Sequence, residues 1–565
     1  MPGFYVSNEY KEGIVLNNFT DRCVGGEISY NNLYLRRNTL DKFMKDKLFC
    51  ENDQYIVATE GVLLNKSELM EKYGQKDFMD MVAHMYEINE TFFDEFIGPM
   101  SGVFYDKRKS KCVVWTNHAG DSSIFYYVNK EKYVIASQVN YIVDALKVYD
   151  VKLSFNEQAA YSMLTYAFMY DNITYANEIK RLEPGSYITV DKDGVRVDKY
   201  WKLKKDKYDL KNISDEELIE ILDKTFRRVV KMEFDKDLEY GYRHLVDLSG
   251  GLDSRLINFV AKEMGYSNLL NLHYSNGNSD DEKIAKEVAA YLKNMILMYP
   301  LNDVNFLFDW HQIVSMNSGM SLYSGITGGK DMLSAIDCSK IGIEHTGQLG
   351  VFIGSYISDI RDLYKKKVMG VYSEKLLSKL DKSHVYNYDD TESQLMYIRG
   401  FNGMCSSFMI RRNYTEVFAP FINPELMDLC FSIPLEKRLG KYIYKKWIMS
   451  KYPEVAMFRM EATGCKLNRS DFVAYLSKIK TRGLDKLKSK LHISAEKSGM
   501  NPFDYWYDKD ERIKKKFDEF FYAELNNSNY SDDLIRDMKE LYEKGNTIEK
   551  TQVITVLAAT KLYFG

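Results

Sequence analysis

The sequence predicts an α/β protein whose second half is built on a parallel sheet and whose C-terminal end is a helical extension. Three observations carry this reading. Residues 244–264 read as strand, turn and helix (HLVDL, SGG, DSRLINFVAKEMG), and a second strand-like run at 269–274 follows at the spacing of a βαβ unit. A charged stretch at 202–215 (KLKKDKYDLKNISD) marks the best boundary between two halves, and beyond Leu467 the chain turns helical and charged. With 565 residues there is length for two or three domains, each with its own core.

The turn after the first strand, Ser249-Gly250-Gly251-Leu252-Asp253-Ser254-Arg255, has the chemistry of a phosphate cradle. Paired glycines let backbone N–H groups close on phosphate oxygens, Ser249 and Ser254 add hydroxyls, and the following helix N-terminus favours an anion. Asp253 is then left to carry a magnesium ion. The Walker A pattern needs a Lys-Ser or Lys-Thr end, and the near miss at 325–331 (GITGGKD) fails at that position. An ordinary β-to-α turn gives the same short match, and the βαβ context argues against it. SGGxDS resembles the PP-loop of ATP pyrophosphatases, enzymes of the adenine nucleotide alpha hydrolase-like fold that split ATP to AMP and pyrophosphate while adenylating a substrate oxygen. The resemblance implies ATP and Mg2+, with Ser249, Gly250, Gly251, Asp253, Ser254 and Arg255 around the nucleotide and Asp253 on the metal.

Residues 1–205 carry marks of a glutaminase domain in order: Glu60-Gly61-Val62-Leu63-Leu64-Asn65 with Glu68-Leu69, then Gly98-Pro99-Met100-Ser101-Gly102-Val103-Phe104, the turn before the aromatic strand at 121–127, Pro184-Gly185-Ser186-Tyr187 and Tyr200-Trp201. Together with the loop they resemble the asparagine synthetase family nearly from end to end. That resemblance implies an Ntn-hydrolase-like αββα sandwich at 1–205, a PP-loop parallel-sheet domain at 206–470 and a helical extension at 471–565. A working glutaminase of this class begins Met-Cys-Gly-Ile and exposes the cysteine as nucleophile. Here Met1-Pro2-Gly3-Phe4 offers no thiol, and Cys23 and Cys50 read as small buried hydrophobes. The expectation is a glutaminase-like fold without glutamine hydrolysis, similar in logic to Cys-lacking members such as β-lactam synthetases and lasso peptide cyclases.

In the second half, 275–281 (SNGNSDD) resembles the family element beside the adenosine, which puts Ser275 at the nucleotide; a solvated acidic helix start is the other reading of Asp280 and Asp281. Thr346-Gly347-Gln348-Leu349-Gly350-Val351 falls where the family has a glycine turn bearing its second magnesium ligand, so Gly347 is expected beside the nucleotide. Val351 takes that aspartate's position, with Glu344 or Asp359 as substitutes through a shifted loop. Gln348 takes the position of a glutamate and can hydrogen-bond but not act as a general base. Ala419-Pro420-Phe421-Ile422-Asn423-Pro424 resembles a turn of the family, and Gly440-Lys441-Tyr442 resembles its lysine-bearing helix start. Lys441 and Gln348 are therefore the catalytic candidates, with a surface lysine as the plain alternative for the former. Arg255, Arg411 and Arg412 suit either an anion or surface ion pairs.

The net charge of -4 lacks the basic balance of a nucleic-acid binder. No apolar run reaches membrane length, and MPGFYVSNEYKEG lacks signal-peptide regions, so a cytoplasmic location is expected. Seven dispersed cysteines suit reduced thiols without a metal spacing. The combined expectation is an ATP-dependent, AMP-forming ligase that joins a small-molecule or peptide carboxylate to an amine. A homodimer or a pathway partner protein is compatible with it. An ammonia-dependent asparagine synthetase and a non-catalytic nucleotide- or partner-binding member are the alternatives.

Overall fold

The computed structural model describes residues 2–10, 14, 16, 20, 22–325, 327–461, 463–467, 499–527 and 529–565. Its first half contains two six-stranded antiparallel sheets. The strand Gly3–Ser7 is central to the first, pairing with Leu33–Leu40 and Tyr133–Ala136. Tyr55–Gly61, Met100–Asp106 and Lys111–Trp115 run side by side in the second. Period-two alternation divides each strand between two cores. Phe4 and Val6 meet Ile56, Val103 and Val114 between the sheets, whereas Tyr5 faces outward to Ile142, Leu146 and Met163. Those last residues belong to the helices Val139–Val148 and Glu157–Tyr166, which cover the first sheet. The helix Phe78–Ile88 covers the second, with Met81, Val82 and Met85 against Val57, Phe104 and Val113. The layers are thus helix, sheet, sheet, helix.

The second half holds a five-stranded parallel sheet in the order Met295–Pro300, Leu270–Ser275, Arg243–Asp247, Ile341–His345, Val417–Phe418. The earliest strand lies in the middle, and the strand order reverses between it and Ile341–His345. Such a switch point opens a crevice at the carboxyl edge. The helix Asp215–Tyr240 begins the unit with a capping box, Ser214 and Glu217 each bonding the other's backbone N–H, directly after the charged boundary at 202–215. With Leu252–Glu263 and Asp280–Leu292 it buries one face of the sheet (Phe226, Val230, Leu256, Val260, Ile284, Val288), and Met332 and Leu333 lie on the other.

The chain ends in four helices between Phe503 and Phe564. The last, Thr547–Phe564, is buried nearly all round: Val553 and Leu557 join Met163, Trp310 and Ile313 in one core. The extension therefore packs against the first half's helical layer. The lysine-rich run at 478–490 lies outside the described residues.

Beneath the sheet's switch point lies a buried charge network. Asp237 Oδ2 accepts from His244 Nδ1 at 2.9 Å and His345 Nε2 at 2.8 Å, and its Oδ1 accepts from the Ile343 amide at 2.7 Å. Glu233 accepts from His345 Nδ1 at 3.1 Å, and Phe234 stacks on the ring. Burial disfavours a charged His345, but Asp237 and Glu233 outweigh it and raise the imidazole from 6.5 to about 9. Burial raises Glu233 to about 7. Both folded values lie above the unfolded ones, so the contribution of these two groups is fully present below the unfolded values and is lost as pH rises through them; Asp237, which burial would raise but the two imidazoles hold below its usual value, contributes stability that is lost as pH falls. Urea unfolding followed by circular dichroism should show stability falling by about 3 kcal/mol between roughly pH 6.5 and 9.5. His345→Gln should be less stable at pH 6.5 and show a flatter profile.

Candidate functional site

A cleft of about 1200 Å³, part of it open to solvent, lies at the carboxyl edge of the parallel sheet. It brings together Ser249, Gly251, Asp253 and Ser254 from the turn after Arg243–Asp247, Gly347 and Gln348 from the turn after Ile341–His345, and Lys441 from a distant helix start. The sequence places these residues far apart; the switch point makes them neighbours.

The turn 249–254 is held by its own hydroxyls. Ser254 Oγ accepts from the Ser249 amide at 3.1 Å and lies 3.0 Å from Ser249 Oγ, which accepts from the Gly251 amide at 3.1 Å. Gly251 opens the helix Leu252–Glu263 with no side-chain cap, so that end keeps donors for an incoming anion. The second turn needs its glycines for close approach. A Cβ on Gly347 would sit 2.4 Å from the Ser254 amide nitrogen, and one on Gly350 would sit 2.3 Å from Asp253 Cγ.

Asp253 and Lys441 face each other at 3.7 Å, and Tyr444 donates to Asp253 Oδ1 at 2.8 Å. Gly440 and Lys441 both adopt left-handed backbone (φ 60°), which turns the chain abruptly into the helix Tyr442–Lys451. A lysine in that conformation is uncommon, and here it delivers the ammonium to the loop. Its stem passes Gly354, where a Cβ would lie 3.2 Å from Lys441 Cγ.

Three residues assigned to the nucleotide from sequence do not line the cleft. Arg255 is fully buried, and its guanidinium donates to the carbonyls of Gly250, Val455, Phe458 and Arg459, fastening the loop to the 455–459 segment. Ser275 is spent on His273 Nε2 and Ser279 Oγ at 2.9 and 3.0 Å. Gly250 turns its amide to Asp281 Oδ1 at 2.7 Å, so Asp281 is an internal acceptor and not a solvated helix start; Asp280 is half-buried and pairs with Lys283. Gln348 accepts from Ser407 at 3.3 Å. Neither proposed substitute for an acid at Val351 reaches the cleft: Glu344 is buried against Arg411, and Asp359 is held by Arg361.

The sequence reading missed Asp247. It ends the central strand, lines the cleft, accepts from Arg411 Nη1 at 2.8 Å and is in side-chain hydrogen-bond contact with Glu344. An acid in the run HLVDL, two residues before the loop, was the available signal. Arg411 also donates to Glu344 at 2.5 Å and Tyr274 at 3.0 Å. Burial pushes Glu344 well above the usual carboxylate range, with Arg411 opposing it.

In the first half a second pocket is lined by Pro2, Glu60, Ser101, Asp121, Arg412 and Glu416 among others, and none of its lining residues is a cysteine. Burial raises Cys23, and Cys50 to about 11, and neither half-buried thiol is among the residues that line it.

Gly347→Ala and Gly350→Ala should each weaken Mg-ATP binding more than about tenfold by calorimetry, because the added methyl displaces the loop. Gly325→Ala, where the Cβ meets nothing within 4 Å, should leave it unchanged. Arg411→Met leaves the buried Asp247 carboxylate uncompensated beside Glu344 and should lower stability by roughly 3–5 kcal/mol in urea unfolding.

Comparison with known proteins bears on the first half. No curated protein matches the chain. Among solved structures it is similar to the glutamine phosphoribosylpyrophosphate amidotransferase from B. subtilis complexed with ADP and GMP, at 9% identity and a TM-score of 0.22, over 47% of this chain and 67% of that one. A structure described as the allosteric regulatory enzyme of purine biosynthesis is similar at 9% identity and a TM-score of 0.23, over 53% and 74%. Residues 40–201 match the model of the glutamine amidotransferase domain, and the first half carries a domain of that kind.

Proposed function

We propose that the protein is an ATP-dependent ligase that adenylates a substrate carboxylate, releases pyrophosphate and passes the acyl group to an amine without hydrolysing glutamine. The observation that carries this is the meeting of Lys441 and Asp253 beside an uncapped helix start in one cleft. Donors for phosphate, a carboxylate for a cation and an ammonium for developing charge are the parts an in-line attack on the α-phosphate requires.

In this reading the turn 249–254 holds the phosphates and Lys441 stabilises charge as the α-phosphorus is attacked. The substrate carboxylate forms the new P–O bond, pyrophosphate leaves, and an amine then displaces AMP from the acyl carbon. Gln348 orients a reactant by hydrogen bonding and takes no proton. The residues present fit a magnesium ion by the chemistry of the donor set: Asp253 and Asp247 are hard oxygen donors lining one cleft. Bound there, magnesium supplies charge neutralisation at the phosphates. The absence of a thiol from the first-half pocket supports an amine that does not come from glutamine.

Val351 favours a second reading, a nucleotide-binding protein without turnover, because the turn beside the loop brings no acid to the cleft. Pyrophosphate release from Mg-ATP, measured across amino acids, sugar acids and linear peptides, separates the two. Release that needs one carboxylate and falls at least about a hundredfold in Asp253→Ala and Lys441→Ala is the expected result. Tight nucleotide binding with no release above the Asp253→Ala background would establish the second reading instead.

A further inference from the structure

The charged groups of the cleft leave one cation unmatched. Arg411 is neutralised by Asp247 and Glu344, and Lys441 stands by Asp253. Arg399 also lines the cleft, half-buried, and no described residue forms a hydrogen bond or ion pair with it. It rides on the π-helical turn Met396–Met404, whose wider winding brings both Arg399 and Met404 to the cleft wall. Its guanidinium lies 5.4 Å over the ring of Tyr356, which lies 3.3 Å from Met404 Sδ through its hydroxyl. Stacking orders the guanidinium before any ligand arrives and leaves its planar fork of donors free.

We infer that Arg399 is the anchor for a second anionic group on the acid substrate, so that the acid is at least dianionic: one carboxylate turned to the nucleotide, the other anion held by Arg399. This rests on the ligase reading for the first carboxylate only. Leu349, Val351, Tyr356 and Met404 give the cleft an apolar lining, which suits a short carbon spacer between the two groups. A monocarboxylate would leave the half-buried guanidinium unpaired and bind weakly.

The test is direct binding to the full-length protein by calorimetry, with Mg2+ and α,β-methylene-ATP present and again with both omitted. The probes are acetate, succinate, glutarate, adipate and 3-phosphonopropionate, the last separating a phosphate-type partner from a carboxylate. At least one dianion should bind wild type at least about tenfold tighter than acetate, lose that advantage in Arg399→Met and regain part of it in Arg399→Lys. Affinity for α,β-methylene-ATP should stay within about twofold in both variants, so loss of nucleotide binding by the wild type would count against the ligase reading and not against Arg399. Equal dianion affinity in wild type and Arg399→Met, or no dianion bound better than acetate, overturns the inference. So does an Arg399→Met variant that loses the nucleotide instead of the acid.

Discussion

Two adjacent arginines fix the geometry on which the rest of the molecule depends. Arg411 is buried at the carboxyl edge of the parallel sheet and bonds Asp247, Glu344 and Tyr274, one residue from each of three neighbouring strands. Arg412 points the other way and bonds both the carbonyl and the carboxylate of Asp121 in the first half. The seam continues through Lys47, fully buried between Glu60 and Glu416, and through Lys42, which donates to the Cys338 carbonyl and the Thr415 hydroxyl. Burying this many charges is costly and adds little net stability. Its effect is geometric: each charge has only one arrangement in which its partners are satisfied, so the two halves meet in one register.

That register sets the electrostatics of both pockets. Residues 404 to 416 supply Met404 and Arg411 to the cleft and Met409, Arg412 and Glu416 to the first-half pocket. One short segment therefore borders both. Since Arg411 is consumed by two carboxylates, the cleft's capacity for added negative charge falls to Lys441, Arg399 and the uncapped end of Leu252–Glu263. Anionic reactants suit such a site, with Asp247 and Asp253 as the carboxylates through which a metal ion could accompany them.

The sequence made the local parts of this arrangement legible and hid the long-range ones. Strand, glycine turn and helix at 243–263 form where the apolar run and the Gly-Gly pair indicate, because that turn chemistry is set by residues next to one another. The glycine turn at 346–350 was legible for the same reason, and the close approach in the fold explains why its glycines are there. Arg255 misled because proximity in sequence to the loop was read as proximity to the ligand; on a helix, its side chain points inward to carbonyls of a segment two hundred residues away. Ser275 misled likewise, since its hydroxyl is taken up by neighbours that only the folded strand and turn bring near. Asp247 and Arg399 escaped because their significance is a matter of charge balance across strands and helices, which no linear spacing encodes.

The replacement at Val351 gains meaning from the same balance. Val351 leans on the apolar core that contains Leu349 and Phe352, so the turn following Ile341–His345 is anchored by burial where an acid would have had to be solvated or paired. The carboxylate that lines the cleft from the neighbouring strand is Asp247: it accepts from Arg411, and burial, helped by its hydrogen-bond contact with Glu344, pushes Glu344 above the usual carboxylate range. Asp247 lines the cleft and Glu344 does not. The apolar turn at Val351 and the carboxylate of Asp247 from the central strand thus border the same cleft as Asp253.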